Sequence, residues 1–413
     1  MKKITLSAVA VLSLASSFSS TLSASDDFTL FSNAKVNGEA RARYENVDVE
    51  DSGKMNANAY TVRATLGLET TLLNIDGLTM KVDGTTVQAL GGHRYNDTTY
   101  NGMTNYEIVK DPDTTRFSQA YLQYKFGKTV AKVGRQIINL DNERFIGSVD
   151  WRQMMQSFDA AVISDSSINN LTLTGAYVYG IAGITNAPTT DTNSIILNAS
   201  YKINDMAKVT AYDYMLSSTH DTIGLSVSGN VPVSIVKIDY RAEYATQGDA
   251  SRDTNNYPSS QNIQADAHYY NLDALANING ILVGAGYEVL SGSNGNDGKT
   301  AFNTPLATLH KFNGWADKFL TTPTGGLCDT SATLGYTATG LGKAMVVYHD
   351  YKTDQAMSNK SDLGTEWDMM YTNAIPGVKG LNGLIKAAFY DGGDVAGNTK
   401  NMSKVWLQAT YKF

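Results

Sequence analysis

Along residues 38–45, Glu39, Arg41, Arg43 and Glu45 alternate with Gly38, Ala40, Ala42 and Tyr44. Successive side chains of an extended strand point to opposite faces, so four charges share one face and the other face is apolar or small. The pattern returns at Tyr60–Thr70, where Val62, Ala64, Leu66 and Leu68 oppose Arg63, Thr65 and Glu69. It is clearest at Ile235–Glu243, where Val236, Ile238, Tyr240 and Ala242 oppose Lys237, Asp239, Arg241 and Glu243. The last strand alternates too, with Val405, Leu407, Ala409 and Tyr411 against Lys404, Gln408, Thr410 and Lys412. Trp406 is the exception on its wet face, and the chain ends on the aromatic Phe413. After the first 25 residues no apolar run reaches the ~18 residues of a spanning helix. A chain with one lipid-type face and one wet face over so many strands predicts a transmembrane antiparallel β-barrel.

The amino end has the layout of a secretory signal peptide: Lys2 and Lys3, an apolar stretch over Ile4–Phe18, and small residues at Ser23-Ala24-Ser25. No Cys follows to accept a lipid anchor. The expected organisation is a signal peptide at 1–25, cleaved after Ala24 or Ser25, a short periplasmic segment at 26–34 and the barrel at 35–413. Without Lys2 and Lys3, 31 basic residues face 40 acidic ones, a net of −9 that argues against a nucleic-acid partner. The single Cys328 excludes an internal disulfide, and the five histidines show no metal-ligand spacing. Neither a metal nor a cofactor is expected, and the stretch Asn294–Lys299 lacks the acidic ligands of a calcium loop. The 24 tyrosines suit aromatic girdles at the two membrane interfaces.

Alternating runs separated by turn clusters give eighteen strands, an even number that leaves both termini on one side. Sixteen is the alternative, if Lys208–Leu216 and Thr222–Ser228 are not strands. Short links such as Gly127-Lys128 alternate with long segments at 91–113, 138–154, 180–192, 248–262 and 292–327. Strict alternation through Lys132-Val133-Gly134-Arg135 would aim Arg135 at lipid, so a bulge at Gly134 is expected to turn it inward.

A barrel of this size leaves a watery lumen unless loops fill it. Arg41, Arg43, Arg63, Lys237 and Arg241 lie on wet strand faces among Glu39, Glu45, Glu69, Asp159, Asp239, Glu243, Glu288 and Glu366. Two readings stand: charge ladders that stiffen the wall, or a basic track for an anionic solute. The loop around Arg144, Trp151 and Arg152 admits the same pair of readings. Its arginines either form a constriction able to hold carboxylates, or pair with Asp141, Glu143 and Asp150 and pin the loop. In a second loop, Phe312, Trp315 and Phe319 have the spacing of one face of a short helix, packed as a loop core or as a stacking platform.

These two loops carry a family resemblance. The string from Gly134-Arg135-Gln136 through Leu140-Asp141-Asn142-Glu143-Arg144-Phe145-Ile146-Gly147 to Trp151-Arg152-Gln153 and Phe158-Asp159-Ala160 resembles the alginate export family of outer-membrane porins. So does Trp315-Ala316-Asp317-Lys318-Phe319-Leu320 with the following Thr322-Pro323 and Gly326-Leu327. The resemblance implies an 18-stranded barrel with a basic lumen, and it carries over Arg135, Arg144, Trp151, Arg152 and Trp315 as pore-lining positions. The founding members of the family pass an anionic polysaccharide.

The function expected is therefore an outer-membrane porin giving passive passage to small polar, anionic solutes in a Gram-negative cell. Its expected partners are outer-membrane lipid, the solutes themselves, and barrel assembly machinery reading the strand that ends in Phe413. An alginate-like export pore and a non-conducting structural or adhesive barrel are the alternatives. No catalytic residue is expected: only His268 and His349 fall within predicted strands, and neither has a serine partner motif.

Overall fold

The computed structural model describes residues 30–252, 266–293 and 299–413. The expected signal peptide at 1–25 and residues 294–298 of the Asn294–Lys299 stretch lie outside the described residues. Eighteen strands form one closed antiparallel sheet. They are β1 Phe31–Val49, β2 Ala57–Leu72, β3 Leu78–Ala89, β4 Thr114–Phe126, β5 Thr129–Gln136, β6 Ser157–Asp165, β7 Leu171–Ala182, β8 Thr190–Asn204 and β9 Ala207–Leu216. The second half comprises β10 His220–Val233, β11 Val236–Gly248, β12 Ala267–Ile278, β13 Ile281–Leu290, β14 Leu327–Ala338, β15 Gly342–Met357, β16 Lys360–Ala374, β17 Leu381–Gly392 and β18 Met402–Lys412. Each strand pairs with its sequence neighbours, and β1 closes on β18 from Glu39↔Lys412 to Val49↔Met402. The doubtful ninth and tenth strands are both present and paired with each other, so eighteen holds and sixteen does not.

Alternation sorts the side chains as the sequence requires. Leu122, Val133, Ile163, Leu197, Leu225, Leu272 and Leu334 stand exposed on the outer face. Exposed tyrosines ring both ends of that band: Tyr60, Tyr244, Tyr270 and Tyr287 towards the loop side, and Tyr124, Tyr201, Tyr336, Tyr371 and Tyr411 towards the turn side. An apolar belt between aromatic girdles is the surface a bilayer selects. All the long connections lie on the side opposite the termini, among them L2 (90–113), L3 (137–156) and L7 (291–326). Two connections on that side, 217–219 and 358–359, are tight hairpins.

Three local expectations need correction. Gly134 has φ +120°, yet the β4–β5 and β5–β6 registers run through it without a shift. Arg135 therefore keeps the outward parity of Val133. The bulge nearest to it on the neighbouring strand is in β4, between the partners of Asp83 and Gly84. Phe312, Trp315 and Phe319 do not ride on a helix. A 3-10 turn at Leu309–Lys311 precedes them, and left-handed backbone at Asn313, Gly314 and Asp317 breaks any helical run. Trp315 and Phe319 are nonetheless buried. His220, not placed in a strand by the sequence, opens β10.

Candidate pore constriction

L3 and L7 fold into the barrel and bond to each other there. The Gly147 amide donates to the Leu306 carbonyl at 2.9 Å, and the Thr308 amide donates to the Glu143 carbonyl at 3.0 Å. Gln156 Nε2 donates to the Gly147 carbonyl at 2.9 Å. The Trp151 and His310 rings stack at 4.2 Å, 7° from parallel. The two loops thus make one inner body, with an apolar side in which Phe145 packs on Tyr212, Tyr269 and Phe302.

The wall arginines of β1 and β2 hold this body from one side. Arg41 Nη1 donates to the Asp150 carbonyl at 2.8 Å, and Arg43 Nη2 donates to the Trp151 carbonyl at 2.5 Å. Arg63 Nη1 reaches Asp150 Oδ1 at 2.8 Å, while its other end pairs with Glu39. A guanidinium has five donors in a fixed fork, so one side chain can bond a wall carboxylate and a loop carbonyl together. L2 joins in through Asp111, whose Oδ1 accepts the Gln153 amide at 2.9 Å. The loop arginines complete the tie from within. Arg144 is 1% exposed and spans Glu288, Thr304 and Asn313. Arg152 bonds Glu45 at 3.1 Å and Asp317 at 2.9 Å. Neither pairs with the nearby acids of its own loop, the partners expected from sequence.

Three of the four tryptophans meet around one lysine. Lys386 Nζ lies 3.7 Å from the Trp315 ring centre, 4.3 Å from Trp151 and 5.6 Å from Trp406. Desolvated cation–π contacts contribute on the order of 2 kcal/mol. The lysine also donates to His310 Nε2 at 2.7 Å, which leaves Nδ1–H to donate to Asp317 Oδ1 at 2.6 Å. Burial above all, together with the Lys386 and Arg152 charges, keeps the His310 ring well below its ordinary pKa despite the pull of Asp317. Burial pushes the Asp317 carboxyl up, but the donors on it, His310, Lys404 and Arg152, outweigh that and hold it well below the usual carboxylate range.

Not every expected lumen residue reaches this centre. Arg241 faces inward but is buried, forking onto Glu243 at 2.8 Å through both Nε and Nη2. Lys237 is exposed on the inward face near the turn side. Arg135 stands on the outer face with Asp159, which it meets at 2.7 Å, and with Thr189; it does not line the lumen. Lys386, His310, Asp317 and Trp406 were missed by sequence reasoning. Trp406 alone had a signal, as the aromatic that interrupts a wet face.

Residues 33–265 match the family described as alginate export. The chain belongs to the alginate export family. The match includes the first of the two resembling strings and ends before the second. No curated relative matches the sequence. Among solved structures, the chain is similar to Pseudomonas aeruginosa OpdK with vanillate, at 12% identity and TM-score 0.70, over 93% of this chain and 100% of that one. It is similar to P. aeruginosa OccK2 (OpdF) in complex with glucuronate, at 14% identity and TM-score 0.70, over 93% and 99%. Acinetobacter baumannii OccAB4 follows at 15% identity and TM-score 0.69, over 93% and 99%. The likeness is one of fold. A closed barrel with an apolar belt, in this family, belongs in the outer membrane of a Gram-negative cell.

Proposed function

We propose that this barrel is an outer-membrane porin that gives small polar, anionic solutes passive passage. The observation that carries the reading is the inner body itself. L3 and L7 cross the lumen and bond to the wall at β1, β2, β13, β16 and β18. Loops packed across the bore suit a narrow passage for small molecules better than a clear channel for a polymer. An alginate-like export pore is therefore the second reading, favoured by the family to which the chain belongs. Vanillate and glucuronate, named with two of the similar structures, are small carboxylates. Lys237, exposed on the inward face, is the cation we retain for solute contact; Arg41 and Arg63, buried against the half-exposed Asp150, hold the loop to the wall. Arg43, Arg144, Trp151, Arg152, Arg241 and Trp315 act by holding the wall and loops in place.

The same reading makes 1–25 a cleaved signal peptide, 26–34 a short periplasmic lead and the Phe413 strand the segment read by assembly machinery. Planar-bilayer conductance under a salt gradient tests the function. A steady conductance with an anion-selective reversal potential is expected. Purified, heat-modifiable barrel without conductance would instead make it a structural protein.

A further inference from the structure

The inner wall of a water-filled barrel is ordinarily polar. On the turn side of the inner body, β6–β9 conform: Ser164 and Thr174 pair hydroxyls at 3.1 Å, and Ser200 and Thr210 at 2.8 Å. The wall from β12 to β17 departs from this. Val283, Leu334, Met369 and Ile385 are its exposed outer face. By alternation the side chains turned inward between L7 and the turns include Leu275, Leu282, Met345, Val347, Met370 and Leu384. The register gathers them. One row across the sheet runs Lys237, Asn277, Leu282, Gly335, Met345 and Met370, each the direct partner of the next. The row nearer L7 runs Leu275, Gly284, Thr333 and Val347. The row nearer the turns runs Lys343, Thr372 and Leu384. A Cβ on Gly284 would lie 2.8 Å from Leu275 Cδ1, and one on Gly335 3.4 Å from Leu282 Cδ1. The two leucines therefore lie over the glycines, and the patch is a shallow floor. Leu282 and Val347 are buried in it, while Leu275, Met345, Met370 and Leu384 keep part of their surface exposed.

Two lysines flank the floor. Lys237 lies two strands from Leu282 in the same row, about 10 Å away along the backbone, and Lys343 lies two residues from Met345, about 7 Å along β15. Lys237 is exposed and Lys343 is half-buried. Neither forms an ion pair among the described residues. Other inward lysines at this end do: Lys202 meets Asp205, Lys208 meets Asp141 and Lys412 meets Glu39. Asp239, the acid on Lys237's own face of β11, accepts from Asn230 at 2.7 Å instead. Two ammonium groups without acidic partners, at the edge of an apolar floor, complement a molecule with one negative end and an apolar body. A polyhydroxylated acid fits poorly, because its hydroxyls would lose water over side chains that offer them no hydrogen bond.

We propose that the turn-side wall of β12–β17 is a binding floor for small acids with an apolar body. Lys237 or Lys343 holds the carboxylate, and the body lies over Met345, Met370 and Leu384. The proposal rests on the porin reading and narrows its solutes from anions in general to apolar acids. Hexanoate and gluconate test it: they share carbon chain length and charge, and gluconate alone carries hydroxyls along the chain. In purified barrel labelled at the methionine methyl groups, the Met345 and Met370 signals are followed by NMR as each acid is added. Met345→Leu and Met370→Leu assign the signals. Chloride current across a bilayer is recorded with the same additions. Hexanoate should shift both methyls and block the current at about tenfold lower concentration than gluconate, the gain from burying two methylenes. Met370→Gln, read through the Met345 methyl, should erase that difference. Leu384→Gln takes its place if that barrel fails to assemble. Lys237→Gln with Lys343→Gln should weaken both acids alike. An equal response to the two acids in the wild type, or none, overturns the floor whatever the variants do. So does a hexanoate preference that persists in a folded Met370→Gln or Leu384→Gln barrel, or undiminished binding in the lysine variant. Methyl shifts specific to hexanoate in a barrel that never conducts uphold the floor and remove the porin reading. Steady conductance with unmoved methyls does the reverse.

Discussion

Arg152 Nη2 donates to Asp317 Oδ2 at 2.9 Å, joining L3 to L7 at a point where both groups are almost fully buried. The same guanidinium holds Glu45 of β1, and the same carboxylate holds Lys404 of β18. Removing either member strands charges that have no access to water. Breaking such a buried pair costs about 3–5 kcal/mol.

That cost sets the outcome of Arg144→Ala with Arg152→Ala. Glu288 and Glu45 lose their guanidinium partners and Asp317 loses one of its three donors, and the inner body loosens from both walls. Bilayer conductance should increase for all ions while the reversal potential moves little. A clear shift toward cation preference without a conductance gain would return these two arginines to direct contact with the solute.

Parity along β11 makes a second prediction. Ala242 faces lipid and Arg241 faces inward. Ala242→Arg should reduce the amount of heat-modifiable barrel, since a lipid-facing charge near the midplane costs about 2–4 kcal/mol. Arg241→Gln should assemble, with Glu243 still held by the Tyr212 hydroxyl at 2.8 Å. Gel mobility of unheated outer-membrane fractions distinguishes the two.

The seam gives a third. Gly38 and Phe413 exchange backbone hydrogen bonds at 3.0 and 3.1 Å, and a Cβ on Gly38 would sit 2.2 Å from the Phe413 ring. Gly38→Val should displace that ring at a cost of about 1–3 kcal/mol. Deleting Phe413 should lower outer-membrane levels further, with synthesis unchanged in pulse-labelling.

His310 supplies an acid limb. Its ring is held neutral in the folded protein, whereas an unfolded histidine takes up a proton near its ordinary pKa of 6.5. The stability it contributes is present above that value and declines as pH falls below it. Urea unfolding followed by fluorescence should show this decline in the wild type, and His310→Gln should flatten it. An equal slope in both would assign the acid limb to other groups.

The wall was legible because a strand between lipid and water must alternate, and the alternation survives in every local window. Arg241 and Ala242 could be assigned to faces from their neighbours alone. Arg135 followed the same rule, and the expectation failed only where a bulge was invoked to avoid an outward charge; Asp159 on the adjacent strand supplies its partner instead. The helix expected at Phe312–Phe319 failed for another reason. Its apolar spacing reflects burial inside the barrel, while the backbone turns left-handed at Asn313 and Gly314 to aim two amides at β16.

The sequence by itself determined a membrane barrel of eighteen strands with sixteen as the alternative, which side of nearly every strand meets lipid, and which two loops carry the unusual residues. Those properties rest on periodicity, which acts between neighbours in the chain. Tertiary structure alone decided that Lys386 sits among Trp151, Trp315 and Trp406, that Arg144 meets Glu288, and that Arg152 meets Asp317. Lys386 is 235 and 71 positions from Trp151 and Trp315, Arg144 is 144 from Glu288 and Arg152 is 165 from Asp317; Trp406 alone is near in the chain, as the cross-strand partner of Lys386, and no local pattern encodes which distant charges a folded loop will meet.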